Sequence, residues 1–180
     1  VNAQQRAADP QWQGELERCR ADIRGVVAML DSLLDIAASE ARVGDRTGLE
    51  AIDLSALAED LVELYDASAE EAGITLKANI TPGVTLPGER MQLTRLLSNL
   101  LDNALKYVPR GGTVRLVVRA GPVIEVSDDG PGVPAALRAG VFDRFRSGGA
   151  AQGNGTSHGL GLALARAIAL RHDLRIALVD

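Results

Sequence analysis

The sequence predicts an α+β protein in two parts, a long helix followed by a compact unit of helices and strands, and three observations carry that prediction. Apolar residues recur with 3,4 spacing from Leu16 to Ala37; two later runs, from Leu54 and from Met91, keep the helical period; and short segments between and after them alternate with the period of two that belongs to strands.

At 180 residues and 46% hydrophobic, the chain is long enough for one core and an appended helix. The formal net charge is −5 and no dense Lys/Arg tract occurs, so neither nucleic acid nor an anionic membrane surface is an expected partner. No apolar run approaches the ~20 residues needed to cross a bilayer, and Val1 to Arg20 is too polar for a signal peptide. The expectation is a cytoplasmic piece of a longer chain, because it begins with Val rather than Met; that parent has room for an anchor in the inner membrane. Cys19 falls on the apolar helical stripe, where a small buried hydrophobe is the expected reading, in a reducing compartment.

After Asp9-Pro10, the stripe Leu16, Cys19, Ile23, Val26, Leu30, Leu33 and Ala37 is a bundle seam, widened by Val27, Leu34 and Ile36. A dimer of helical hairpins through residues 15–41 is the expected use, and a helix folded back on its own domain is the alternative. Residues 1–43 are thus read as a dimerisation helix, 44–52, with Gly44 and Gly48, as a linker, and 53–180 as the second unit. There Asp53 caps a helix that Gly73 ends. Ile74 to Ile80 alternates as a strand, and Pro82, Gly83, Pro87 and Gly88 confine the next strand to about Val84 to Leu86. Met91 to Leu105 is apolar over so wide an arc that it must be a core helix. Thr113 to Arg119 and Val123 to Ser127 form a hairpin, followed by a loop from Asp128 to Pro134 and a helical turn towards Phe145. Ser147 to Gly155 is glycine-rich and expected to be mobile; Leu160 to Leu170 is a last helix, and Leu174 to Val179 a last strand.

Chemistry concentrates in three places. Asn99 and Asn103 lie one turn apart on one face of the core helix, with Lys106 and Tyr107 following on nearly the same side. Together they offer an amide oxygen for a hard cation, a point charge for phosphate and a ring for stacking. The second place is Asp128-Asp129-Gly130-Pro131-Gly132, directly after a strand, where glycines permit close approach and Asp128 can accept from an exocyclic amine, although the motif taken alone reads as an ordinary Asp-Gly turn. The third is Gly159-Leu160-Gly161-Leu162, opening the last helix where unpaired N–H groups favour phosphates. It is neither a dinucleotide fingerprint nor a Walker loop.

In order and spacing, Asn99 to Tyr107, Asp128 to Gly132, Phe142-Asp143-Arg144-Phe145 and Gly159 to Leu162 resemble the N, G1, F and G2 boxes of sensor histidine kinases. The resemblance extends from about Glu15 to Asp180. It implies the ATPase fold shared with DNA gyrase and heat-shock chaperones: an α/β sandwich, a mixed sheet covered by helices, with a mobile ATP lid. Carried over by position, it implies that Asn103 coordinates Mg and that Lys106 and Asn99 reach the phosphates. Tyr107 would pack on adenine, Asp128 would bind its amine, and Gly130 and Gly132 would let the nucleotide approach. Phe142, Arg144 and Phe145 would begin the lid, and Gly159, Leu160, Gly161 and Leu162 would close on the phosphates; His158 replaces a small residue of the family's pattern and is read either as a phosphate contact or as a residue accommodated beside the lid. Gyrase-like enzymes carry a water-activating glutamate where this chain has Asn99, so the resemblance implies slow hydrolysis and transfer to a nucleophile.

The implied activity is a protein-histidine kinase that moves the γ-phosphate of ATP, leaving ADP, to an H-box histidine of the full-length chain, for relay to a response regulator. The H-box itself is absent, so the chain is not expected to autophosphorylate alone. His172 matches a structural histidine of the family, Ser157 replaces the first glycine of the G2 box, and the family's last strand is missing. The competing reading is a nucleotide-binding pseudokinase or scaffold without transfer.

Overall fold

The computed structural model describes residues 10–146 and 159–179. Helix α1 (Pro10–Ala41) is 32 residues long, beginning five residues before the expected start at Glu15. Its apolar surface divides along its length. Met29 and Leu33 pack on the core of the following unit, and Ile36 and Ser39 are buried against it. Leu16, Ile23, Val26, Val27, Leu30 and Leu34 remain exposed. Cys19 is exposed too, a correction to its expected burial. Heptad spacing identifies the apolar side of a helix, not whether anything lies against it, and among the described residues nothing covers this part.

Residues 44–49 are turns, but 50–52, expected in the linker, open strand β1 (Glu50–Asp53). This strand pairs antiparallel with β3 (Thr85–Gly88), setting Ile52 opposite Leu86, both buried. The match across the ribbon cannot be read from 50–53 alone. The partner also runs past Leu86 through Pro87; in a two-stranded ribbon both strands are edges, where proline is tolerated.

Helix α2 (Leu54–Ala72) starts and stops where the sequence places its ends. The Asp53 carboxylate accepts the Ala56 N–H at 3.0 Å, and Gly73, at φ 70°, supplies the left-handed cap. Strand β2 (Thr75–Ile80), helix α3 (Arg90–Tyr107), strands β4 (Thr113–Arg119) and β5 (Val123–Asp128), the short α4 (Ala135–Arg138) and α5 (Gly161–Arg171) complete the fold. The main sheet has the order β2-β4-β5, with β2 parallel and β5 antiparallel to β4. Val114, Leu116 and Val118 are fully buried on its inner face, while Arg115 and Arg119 alternate onto the outer one. The α+β expectation, a mixed sheet covered by helices, holds.

Nearly every side of α5 is buried, with only Arg166 and Leu170 of 163–171 exposed, because α5 packs between α3 and the end of α1. After it, the expected strand over Leu174 to Val179 does not form. Leu174 and Ile176 tuck against the core and alternate with exposed Arg175 and Ala177, so the period of two is present in the burial. No ladder partner meets this stretch among the described residues, and alternation without a neighbour makes no strand.

His172, which ends α5, is buried between Gly88 and Glu89 of the preceding turn and its own helix. Its Nε2 accepts the Glu89 N–H at 3.0 Å and its Nδ1 stands 2.8 Å from the Ile168 carbonyl, an arrangement that requires a neutral ring with the proton on Nδ1. Burial pushes its pKa below the ordinary 6.5, against the opposing pull of the Ile168 bond. In the unfolded chain the ring takes up a proton below about pH 6.5, and the folded chain resists doing so. The stabilisation is therefore complete above that pH and falls away as pH drops towards the lowered folded value. Melting temperature should decline between about pH 7 and 5, and His172→Gln should flatten the decline; an unchanged slope in that variant would refute the assignment.

Candidate functional site

Helix α3 brings one face of amides to the amino end of α5. Asn99 donates through Nδ2 to the Arg95 carbonyl one turn back at 2.7 Å, which turns its Oδ1 towards Gly161. A Cβ at position 161 would stand 3.0 Å from that oxygen, so glycine there is what leaves room for the Asn99 amide. Asn99, Asn103 and Tyr107 are half-buried; Lys106 is exposed, its ammonium 5.4 Å from the centre of the Tyr107 ring.

The loop after β5 meets the other end of this face. Val114 pairs with Asp128 in register, so Asp128 sits on the inner, helix-covered side of the sheet, at the point where the strand leaves it. Its Oδ1 accepts the Gly130 N–H at 2.8 Å. A Cβ on Gly130 would lie 2.5 Å from that oxygen and 3.2 Å from the Tyr107 carbonyl, so the loop is pressed onto the end of α3, and Gly132 turns at φ 69°. The next residue, Asp129, faces the other way. It accepts from the Thr113 N–H at 3.0 Å and from Arg115 at 3.2 Å, and these bonds, the Arg115 one foremost, hold its carboxyl below the usual carboxylate range. Asp129 therefore staples the loop to β4 and leaves Asp128 with an open oxygen. Sequence reasoning missed this role, which shows only once the β4–β5 register is known.

The residues expected to begin the lid divide. Arg144 is drawn to Glu40 of α1 at 2.5 Å, away from the amide face. Phe142 and Arg144 help line a cavity of about 260 Å³ with Glu40, Ala163, Arg166 and Leu170, between the ends of α1 and α5. Phe145 is exposed, in a left-handed conformation at φ 62°, and its N–H bonds to the Gly159 carbonyl at 2.9 Å, tying the two ends of the intervening segment together. Leu160 is buried in the core, so anything it offers a ligand comes from its main chain, while Leu162 is half-buried. His158 and the glycine-rich stretch 147–155 lie outside the described residues.

A second, open groove of about 610 Å³ follows the outer side of α3 along Arg90, Met91, Thr94, Arg95 and Ser98. Neither hollow is lined by Asn103, Lys106, Tyr107 or Asp128; Asn103 and Tyr107 continue the Asn99 side of α3 from its contact with Gly161 to the 128–132 loop, which abuts Tyr107. The face has two chemically distinct ends. At Asp128 a carboxylate oxygen is free to accept an amine. At Gly161, α5 begins with no side-chain cap on its first N–H groups, which suits an anion.

Comparison with known proteins gives the family. Residues 88–179 match the family model described as histidine kinase-, DNA gyrase B-, and HSP90-like ATPase, and the chain belongs to that family. Within it the resemblance is to sensor histidine kinases. The sensor histidine kinase TmoS of Ectopseudomonas mendocina is 31% identical over 189 residues, covering 100% of this chain and 19% of TmoS. The solved structure of the mycobacterial sensor histidine kinase MprB is 27% identical, with a TM-score of 0.57 over 69% of this chain and 80% of that one. Full-length ShkA, solved in complex with AMPPNP, shares the fold at a TM-score of 0.72 over 91% of this chain and 34% of its own, at 24% identity. The chain spans about a fifth to a third of the curated relatives it matches, 19% of TmoS and 26% of the sensor histidine kinase GtrS of Pseudomonas aeruginosa. Among the described residues, no helix is long and apolar enough to cross a membrane.

The donor set also accommodates a magnesium ion. Among the described residues no group of three or more His, Cys, Asp or Glu side chains could hold a metal by itself. Magnesium needs no such cage: it keeps several waters and is bound through one or two protein oxygens plus phosphates. The half-buried amide oxygen of Asn103 fits that demand.

Proposed function

We propose that this chain binds Mg-ATP on the α3 face and presents the γ-phosphate to a histidine lying outside it, as the ATP-binding part of a sensor kinase that relays phosphate to a response regulator. Asp128 accepts the adenine amine, and Tyr107 packs on the ring. Lys106 leaves that ring to meet the phosphate chain, and the N–H groups at Gly161 and Leu162 cradle it. Asn103 would hold the magnesium, which supplies charge neutralisation on the phosphates.

The observation that carries the reading is Asn99 lying against Gly161, at the phosphate end of the face. An amide cannot take a proton from water, so the site lacks at that position the base that hydrolysis needs. It retains what phosphoryl transfer needs, namely positioning and charge neutralisation. The histidine nitrogen supplies the electron pair for the new P–N bond, the bond from phosphorus to the β,γ-bridging oxygen breaks, and ADP leaves. The exposed stripe from Leu16 to Leu34 suits pairing with a second copy, which would place two nucleotide faces beside one helical bundle.

The test supplies γ-labelled ATP together with a helical fragment of the parent protein bearing its H-box. Acid-labile label on that fragment, with little release of free phosphate when it is left out, is the expected result. Nucleotide binding without transfer would favour a scaffold, and fast acceptor-independent hydrolysis would return the chain to the gyrase-like branch.

A further inference from the structure

The joint between α1 and the ATP-binding unit is built around a buried guanidinium. Arg171, near the end of α5, is 1% exposed. It donates to the Asp45 carbonyl, to the Thr47 carbonyl at 3.2 Å and to Glu89 Oε1 at 3.1 Å, while its Nε has no partner. Arg42, from the turn that ends α1, reaches the same two acceptors, Glu89 at 3.0 Å and the Thr47 carbonyl at 2.9 Å. Glu89 is itself fixed through its N–H to His172. The gripped segment 45–47 lies between Gly44 at φ 81° and Gly48 at φ 78°, two left-handed positions that other residues rarely adopt.

Taking a guanidinium out of water costs several kcal/mol unless its donors are met. Here two of the acceptors are main-chain carbonyls of a segment with a left-handed glycine at each end. When the segment is in place Arg171 is largely satisfied and dry; when it swings away Arg171 must be hydrated. The ion pairs between α1 and the unit, Asp35 with Arg95 and Glu40 with Arg144, are part-exposed and add little, so the clamp shares the restraint of α1 with the packing of Met29, Leu33 and Ile36 on the core.

We propose that Arg171 is a positioning residue: by clamping 45–47 it narrows, beyond what the apolar packing of α1 does, the angle at which α1 meets the nucleotide unit, and so the direction from which an acceptor on the bundle is approached. The clamp stands on these contacts alone; its purpose rests on the kinase reading above. A unit freed from one angle spreads its γ-phosphate over many approaches and loses effective concentration at the acceptor.

The experiment places spin labels at Arg20→Cys on α1 and Leu64→Cys on α2 in a Cys19→Ser background, diluted with unlabelled chain so that intrachain distances dominate. The unaltered joint should give one narrow distance. Arg171→Met should broaden it about twofold or more, with affinity for an ATP analogue within about twofold. In the parent chain, transfer at saturating ATP should fall about tenfold with the KM for ATP unmoved. Glu89→Gln, a milder change that also weakens the clamp, should broaden the distance too and decides the matter if Arg171→Met fails to fold. Unchanged narrow distances in both variants would overturn the clamp, and broadened distances with equal or faster transfer would overturn its positioning role. Absence of nucleotide binding in the unaltered chain would instead sink the kinase reading and leave the distance result standing.

Discussion

Asp128→Ala is expected to weaken binding of an ATP analogue by about 10- to 100-fold, and Asn103→Ala to do the same only when magnesium is present. A hydrogen bond to a charged acceptor contributes about 1.5–3 kcal/mol, and each 1.4 kcal/mol is tenfold in affinity. Asp128 is the residue whose loss should show most, because Asp129 carries the structural bonds to Thr113 and Arg115 and leaves its neighbour free for ligand. Its one tie, to the Gly130 N–H at 2.8 Å, steadies the carboxylate against the end of α3. On the proposed reading Asp128 accepts from the adenine amine, so the variant should also lose discrimination between ATP and GTP. Titration calorimetry with each nucleotide, with and without magnesium, reads both effects. A dissociation constant within about twofold of the original in both variants would remove the α3 face as the nucleotide site.

The second large effect separates two glycines that stand close in sequence. Gly159→Ala should destabilise the fold, since residue 159 sits at φ 65° and its new Cβ would lie 2.8 Å from the main chain of Phe145 and Arg146. The left-handed conformation alone costs about 1–2 kcal/mol for a residue with a Cβ, and the clash forces apart the pair joined by the Phe145 N–H to Gly159 carbonyl bond. Gly161→Ala should do the reverse. It opens α5, where alanine is favoured over glycine by up to about 1 kcal/mol, so stability should hold or rise. Its Cβ, however, would meet the Asn99 oxygen at 3.0 Å and push that amide off the phosphate end. Thermal melts and nucleotide titrations on the pair should therefore cross, with stability lost in one and affinity lost in the other. Unchanged affinity in Gly161→Ala would show that the contact between Asn99 and α5 plays no part in binding.

Much of the fold was readable because its signals are local. Asp53 and Gly73 bound α2 by capping chemistry that operates within a few residues of each, and the alternation in Thr113 to Ser127 is the pleat itself. Failures occurred where a partner distant in sequence decides. Cys19 carries the right spacing for burial and stays exposed, residues 50–52 become a strand only because Leu86 lies opposite Ile52, and Leu174 to Val179 alternates without finding a neighbour. Arg144 illustrates the same limit at the site. Its motif suggests a lid facing nucleotide, and the structure turns its guanidinium to Glu40, a residue 104 positions away.

By itself the sequence determined which side chains share the helix face proposed here for nucleotide. Asn99, Asn103, Lys106 and Tyr107 share a helix face because 3.6 residues make a turn, and the glycines at 130, 159 and 161 mark places where main chain must come close. Tertiary structure alone decided how those parts face one another. Asp128 points inward and Asp129 outward through the register of β5 on β4, and Asn99 meets α5 through helix packing. Arg171, an unremarkable arginine near a helix end, is buried because Glu89 and the 45–47 carbonyls converge on it. The physical reason is range: torsional and capping preferences act over a few residues, whereas desolvation is settled by whatever the rest of the chain places alongside.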